Sequence, residues 1–87
     1  MPYRIEFRPA ARRQLRRIPR PYNARLMAAI TALADAPRPP GCIQLQGPEG
    51  FHRVRVGDYR IVYLIQDRVL LVCIVRVAHR SDVYRQL

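Results

Sequence analysis

Residues 50–77 read GFHRVRVGDYRIVYLIQDRVLLVCIVRV, and this stretch decides the fold. From Gly50 the sequence period changes from 3.6 to 2, and Phe51–Val56 and Tyr59–Ile65 are predicted to be strands. Gly57-Asp58 lies between the two runs and supplies a tight turn. The pattern therefore predicts two antiparallel strands joined by a hairpin.

A third strand is predicted at Val69–Val77, after a turn formed by Gln66-Asp67-Arg68. This run is almost wholly apolar. A strand of that composition is typical of a central position with both faces covered. We therefore expect it to lie inside the sheet.

Ahead of residue 50 the period is mostly helical. Tyr3–Phe7 alternates and predicts a first strand, whereas Pro9–Ile18 and Tyr22–Ala34 carry apolar residues at helical spacing. Pro37 to Gly41 ends the second helix in a loop. The order β-α-α-β-β-β predicts an α+β fold, in which a helical hairpin packs on one face of a mostly antiparallel sheet. We expect one domain over residues 1–87.

The charge of the chain predicts a polyanionic partner. All sixteen basic residues are arginine, only six residues are acidic, and the net charge is +10. At 49% apolar residues the composition is that of a globular domain rather than a disordered basic tail. Arginine binds phosphate in a two-point geometry and stacks on bases, so nucleic acid or an acidic protein is the expected partner.

Cysteine content and hydropathy predict the compartment. The two cysteines, Cys42 and Cys73, occur without a secretory signal, which favours a reducing cytoplasm over a disulfide framework. The longest apolar run, Val69–Val75, is too short to span a membrane. We expect a cytoplasmic protein that does not contact the membrane.

Three arginines in the C-terminal strands are candidates for binding phosphate. Arg53 and Arg55 share one face of their strand, and Arg60 lies among apolar residues of the next. An arginine in such a strand costs free energy unless it meets an anion. The alternatives are an ordinary solvated sheet face, or pairing of Arg60 with Asp58 or Asp67.

The segment after the last strand adds polar candidates. His79 lies near several arginines, which favour its neutral, proton-accepting form, and Tyr84 can donate a hydrogen bond or stack on a base. The alternative for His79 is an inert surface residue. The sequence has no metal-ligand spacing, no glycine-rich phosphate loop and no Ser-His-Asp set, so no metal or cofactor is expected. Arginine, histidine and tyrosine suit RNA cleavage, in which the 2′-hydroxyl is the nucleophile.

Two motifs resemble a known family. The run GDYRIVY at residues 57–63, followed by a hairpin, an apolar strand and VAHRSDVY at 77–84, resembles the RelE branch of the RelE/ParE toxin superfamily. YRIEF at 3–7, AARRQL at 10–15 and LQG at 45–47 fit the same family. The resemblance covers essentially the whole chain and implies the RelE-like microbial ribonuclease fold.

The resemblance also implies an activity: a ribosome-dependent, metal-free endoribonuclease that cuts mRNA and inhibits translation. By position, Arg53 and Arg55 match two basic residues that hold the RNA and support proton transfer, and Arg60 matches the arginine that stabilises the scissile phosphate. Members of the family often have lysine at the first two positions. The general base is therefore left open.

Family resemblance extends to the tail and to the partners. Tyr84 matches the C-terminal aromatic residue that orients the substrate, and either His79 or Arg80 matches a further basic catalytic position. The implied partners are the ribosome, mRNA and an acidic, RelB-like antitoxin in a hetero-oligomeric complex. Two alternatives remain: a ParE-like inhibitor of DNA gyrase, and a non-catalytic RNA- or ribosome-binding module.

Overall fold

A computed structural model of the protein describes residues 2–83. The strands in this part of the chain are β1 (Arg4–Phe7), β2 (Ile43–Gln44), β3 (His52–Val56), β4 (Tyr59–Gln66) and β5 (Leu71–His79). Its α-helices are α1 (Pro9–Arg17), α2 (Tyr22–Ala32) and the short α3 (Arg80–Val83). The element order of the described residues confirms the β-α-α-β-β-β prediction, and the structure adds the strand β2, a 3₁₀ turn at Asp67–Val69 and the short α3.

The strands form one sheet in the order β1-β5-β4-β3-β2. β1 pairs with β5 in parallel, and every other neighbouring pair is antiparallel. β1 is the first of these strands along the chain and β5 is the last, so their pairing places residues near both ends of the described chain in one sheet. The predicted α+β class and the mostly antiparallel sheet are confirmed.

Both long helices cover the same face of the sheet, here called the helix face. Pro9 occupies the first turn of α1, where its missing N–H has no partner to lose. The arginines of α1 are exposed, while Ala11 and Leu15 are buried against the sheet. Leu26 and Ile30 of α2 join the same core. The sheet contributes Val54, Ile61, Tyr63, Val72, Ile74 and Val77. None of the helices among residues 2–83 is long and apolar enough to cross a bilayer.

The third predicted strand differs from the observed β5 at both ends. Asp67–Val69 forms a 3₁₀ turn, and Leu70 has a left-handed backbone with φ of 51°. This longer connection delays β5 to Leu71, and the strand then runs to His79. β5 lies between β1 and β4 as expected, but Cys73 on its second face is only half-buried. The prediction that both faces are covered is therefore wrong.

Hydrogen bonds fasten the Pro-rich loop to the sheet. The buried Tyr63 hydroxyl donates to the Pro37 carbonyl at 2.7 Å, and burial raises the pKa of this phenol. Arg38 binds the Asp67 carboxylate through both terminal nitrogens, at 3.0 and 3.2 Å, and the Tyr3 hydroxyl donates to the same carboxylate at 2.6 Å. The hydrogen bonds from Arg38 and Tyr3 lower the pKa of Asp67 to about 2. The loop, the start of β1 and the β4–β5 turn are thus tied together.

Candidate functional site

Four arginines of β3, β4 and β5 lie on the side of the sheet opposite the helix face. Arg55 of β3 lies directly across from Arg60 of β4, and Arg53 lies across from Val62. On the other side of β4, Val62 is paired with Arg76 of β5. Residues paired in this way project to the same face of an antiparallel sheet. We call Arg53, Arg55, Arg60 and Arg76 the arginine face.

A bulge in β5 places Arg76 on this face. Tyr63 is paired with Ile74 and Val62 with Arg76, so one step along β4 corresponds to two steps along β5. The extra residue is Val75. An inserted residue reverses the alternation of side chains beyond it. Without the bulge Arg76 would share a face with the core residue Ile74.

Two of these arginines are buried despite their charge. The exposed fractions of Arg60 and Arg53 are 5% and 9%, whereas Arg55 is exposed. The Nε atoms of Arg60 and Arg76 are buried and have no hydrogen-bond partner among the residues described. One terminal nitrogen of Arg60 donates to the carbonyls of Gly57 at 3.4 Å and Tyr59 at 3.2 Å. These bonds hold the Arg60 guanidinium beside the β3–β4 turn.

Arg55, Arg60 and Arg76 form no ion pair with a carboxylate among residues 2–83. Within the described side chains, Arg60 forms no ion pair with Asp58 or Asp67, so that alternative is not the observed arrangement. Among the described side chains, ion pairs join Arg4 to Glu6 on β1 and Arg38 to Asp67 beside the β4–β5 turn. A guanidinium withdrawn from water costs several kcal/mol unless an anion compensates it. The face is therefore suited to bind an anion with closely spaced charges, such as a phosphodiester.

His79 lies on the helix face, apart from these arginines. It is paired with Tyr59, and the two rings meet edge to face with centroids 5.7 Å apart. Its Nδ1 accepts the backbone N–H of Ser81 at 3.4 Å and lies 3.1 Å from the Ser81 hydroxyl oxygen. The two residue types that the sequence analysis grouped into one site, arginine and histidine, are thus separated by the thickness of the sheet.

The remaining site residues follow β5. Arg80 begins α3 with an exposed side chain, and its backbone N–H donates to the Asp58 carbonyl at 2.7 Å. This bond anchors α3 to the β3–β4 turn, next to Arg60. Tyr84 lies outside the described residues. No group of three or more His, Cys, Asp and Glu side chains that could hold a metal ion occurs in the described part of the chain.

Arg76 is the site residue that the sequence analysis missed. Its signal is a single charge inside the apolar run of β5. An even alternation along that run places Arg76 with Val72 and Ile74 in the core, where a charge is not expected. A bulge is one of the few features that can place this charge outside the core. The charge at a predicted core position is therefore the signal in the sequence that indicates a bulge.

A family model described as the ParE toxin of the type II toxin–antitoxin system parDE matches residues 5–84. Two toxins of Mycobacterium tuberculosis are also similar in sequence. Toxin RelG is 37% identical over 93 aligned positions, which cover 99% of this chain and all of the relative. Toxin RelE is 35% identical over 85 positions, which cover 97% of this chain and 88% of the relative.

Solved structures agree with the sequence matches. The toxin–antitoxin complex RelBE2 of M. tuberculosis contains a chain that matches with a TM-score of 0.82 and 32% identity, over 94% of this chain and 95% of that one. The archaeal RelE–RelB complex of Pyrococcus horikoshii gives the same TM-score at 24% identity, over 94% and 99% of the two chains. The second match supports the fold alone.

Proposed function

The chain belongs to the RelE/ParE superfamily of type II toxin–antitoxin toxins, with relatives of the RelE type, and from this premise we propose that it is an endoribonuclease that cuts mRNA on the ribosome. Cleavage of the message would inhibit translation. The observation that supports this proposal is the arginine face. Arg53 and Arg60 are buried on β3 and β4, and Arg76 is partly buried on β5; Arg60 and Arg76 have no carboxylate partner among the described residues, an arrangement that suits a bound phosphodiester.

RNA carries its own nucleophile, so the protein needs few chemical groups. The 2′-oxygen attacks the adjacent phosphorus while the bond from phosphorus to the 5′-oxygen breaks. The 2′-hydroxyl loses a proton, and the departing 5′-oxygen gains one. The products are a 2′,3′-cyclic phosphate and a 5′-hydroxyl. In this reaction the enzyme orients the attacking oxygen and stabilises the extra negative charge on the phosphate.

The proposed roles follow from position on the arginine face. Arg60 stabilises the scissile phosphate, because its guanidinium is buried and is held at the β3–β4 turn by two carbonyls. Arg53 and Arg55, on β3, bind the RNA phosphates next to the scissile one. Arg76 extends the positive surface onto β5. Arginine stays protonated at every physiological pH. The proton transfers are therefore assigned to groups outside the arginine face. Arg80 and Tyr84, in the segment after β5, are assigned to positioning the substrate.

An antitoxin is the second proposed partner. The RelBE2 complex of M. tuberculosis and the P. horikoshii RelE–RelB complex are solved with a toxin and an antitoxin together. By analogy we assign to this chain an acidic, RelB-like antitoxin in a hetero-oligomeric complex. The net charge of +10 provides the complementary surface.

Cell-free translation tests the nuclease proposal directly. Purified protein is added to a translation reaction, and new mRNA ends are mapped by primer extension. We expect cuts within codons in the ribosomal decoding site, and none in the same RNA without ribosomes. Arg60→Ala should abolish the cuts. Arg68→Ala is the matched control, because it removes an exposed arginine at the opposite end of β4 and should leave cleavage intact.

Each contrary result points elsewhere. Intact mRNA would overturn the nuclease proposal, and inhibition of DNA supercoiling by gyrase in the same preparation would replace it with ParE-like activity. Binding to ribosomes without cleavage would identify a non-catalytic module. Equal loss of cleavage in Arg60→Ala and Arg68→Ala would show that total charge, rather than the arginine face, is what matters.

A further inference from the structure

A cluster of three aromatic rings lies at the end of the helix face. Tyr22 at the start of α2 contacts Tyr59, with ring centroids 5.8 Å apart and an angle of 44° between the planes. Tyr59 in turn meets His79 at 5.7 Å and 85°. Tyr22 is 45% exposed and His79 is exposed, so two of the three rings are open to solvent. We call Tyr22, Tyr59 and His79 the aromatic cluster.

Cavities flank Tyr59 on two sides. One has a volume of about 230 Å³ and lies between Tyr22, Arg25 and the β3–β4 turn. The other has a volume of about 290 Å³ and lies between α1 and the end of β5, where Arg17 and His79 line it. Pockets for drug-sized ligands span roughly 300–1,000 Å³. Both cavities lie just below that range, so each is suited to a group smaller than a drug-sized ligand.

Both cavities combine an aromatic wall with an arginine. The guanidinium carbon of Arg25 lies 5.9 Å from the centre of the Tyr22 ring, and Arg17 borders the second cavity. Within the described side chains neither arginine forms an ion pair, and the acidic group lining these cavities is Asp58. Flat rings beside cations are the arrangement with which proteins bind single-stranded nucleic acid.

We propose that the aromatic cluster stacks an unpaired RNA base next to the segment held by the arginine face. The inference rests on the proposed nuclease function. Tyr59 and Arg60 are consecutive in β4 and project to opposite faces, and the β3–β4 turn beside them is the end of the hairpin. An RNA strand that passes around this end reaches both surfaces, with phosphates on the arginine face and a base on Tyr22. The cluster thus gives His79 a role in binding, away from the scissile phosphate.

Binding of a short RNA to the purified protein tests this inference without ribosomes. The probe is a fluorescein-labelled hexamer of riboadenylate, and affinity is measured by fluorescence anisotropy. Stacking on an aromatic side chain contributes about 1–3 kcal/mol per base, which corresponds to about 5- to 150-fold in affinity. We expect a loss in that range for Tyr22→Leu, while Tyr22→Phe, which keeps the ring, retains the wild-type affinity.

An abasic probe separates stacking from charge. The same hexamer without bases keeps its phosphates, so Tyr22→Leu should bind it as well as the wild type does. Arg25→Ala should weaken the binding of both probes. Arg13 is an exposed arginine of α1 outside both cavities, and Arg13→Ala should weaken the binding of neither probe. Thermal unfolding of each variant, together with the Tyr22→Phe result, distinguishes loss of the ring from loss of the fold.

Several outcomes would overturn the inference. Equal affinity of wild type and Tyr22→Leu for the base-containing hexamer would do so, as would an equal loss with the abasic probe. A third is that the binding of an acidic decapeptide depends on Tyr22 while the binding of the hexamer does not. That result would assign the aromatic cluster to a protein partner. Failure of the nuclease proposal is seen separately, as intact mRNA in the translation assay while Tyr22-dependent binding of the hexamer persists.

Discussion

Arg60 and Ile61 are consecutive residues of β4, and both are buried, with exposed fractions of 5% and 0%. Ile61 points into the core beneath α1 and α2, whereas Arg60 points to the arginine face. One burial releases apolar surface from water, and the other withdraws a charge from it. Burial of Ile61 therefore stabilises the folded state, whereas a similar degree of burial of Arg60 destabilises it. A buried residue that opposes folding is better explained by function than by stability.

The core side of this comparison has the largest expected effect on folding. Ile61→Ala removes three carbon atoms from a fully buried site and should lower the free energy of unfolding by about 2–5 kcal/mol. For a chain of 87 residues this is a large share of a total of about 4–13 kcal/mol. Urea denaturation measures the change. Cleavage per folded molecule should remain at the wild-type level, and a selective loss of cleavage would break the division between the faces.

The arginine side should show the reverse pattern. Removal of one group that stabilises transition-state charge costs about 10²–10³ in rate, so Arg60→Ala should reduce ribosome-dependent cleavage by that factor. Its free energy of unfolding should not fall, because the variant removes a buried charge that has no carboxylate partner in the described structure. Measurements of cleavage and urea denaturation on the same preparation check both parts. A destabilisation as large as that of Ile61→Ala would show that Arg60 belongs to the structure instead.

Much of this arrangement follows from the sequence, since side chains in a strand alternate with period two. That rule predicts the shared face of Arg53 and Arg55 and the opposite direction of Val54. Helical spacing likewise predicts the buried residues Leu26 and Ile30. These are local patterns, and the structure follows them.

The missed features depend on contacts between distant segments. Arg76 changes face because of a bulge that forms only when β5 pairs with β4, and no local pattern of β5 contains that register. His79 is near the arginines in sequence, but its pairing with Tyr59 directs it to the helix face. The strand β2 has two residues and exists through its pairing with β3. Register between strands is the information that the sequence alone did not supply.

Tyr63 on the helix face has a buried hydroxyl with a hydrogen-bond partner, and it tests whether such a group behaves differently from Arg60. The Tyr63 hydroxyl donates to the Pro37 carbonyl at 2.7 Å, and Tyr63 is fully buried. Tyr63→Phe leaves that carbonyl without its donor and should lower the free energy of unfolding by about 1–3 kcal/mol. Tyr3→Phe, which removes an exposed hydrogen bond to Asp67, should cost less. Urea denaturation of both variants decides the order, and a reversed order would contradict the role assigned to burial.

The exposed network around Asp67 should give the smallest effect, visible as a dependence on pH. Hydrogen bonds from Arg38 and Tyr3 lower the pKa of Asp67 from 3.8 to about 2 in the folded protein. A carboxylate with a lowered pKa stabilises the fold above its unfolded pKa and loses that contribution as pH falls through the folded value. The free energy of unfolding should therefore decrease between about pH 4 and pH 2.

Asp67→Asn should remove this part of the acid-induced decrease, and Arg38→Ala should reduce it by taking away the strongest partner of the carboxylate. Because the pair is exposed, added salt should also reduce the difference between wild type and variant. Chemical denaturation at a series of pH values measures all three effects. An unchanged decrease in Asp67→Asn would mean that other carboxylates control acid unfolding.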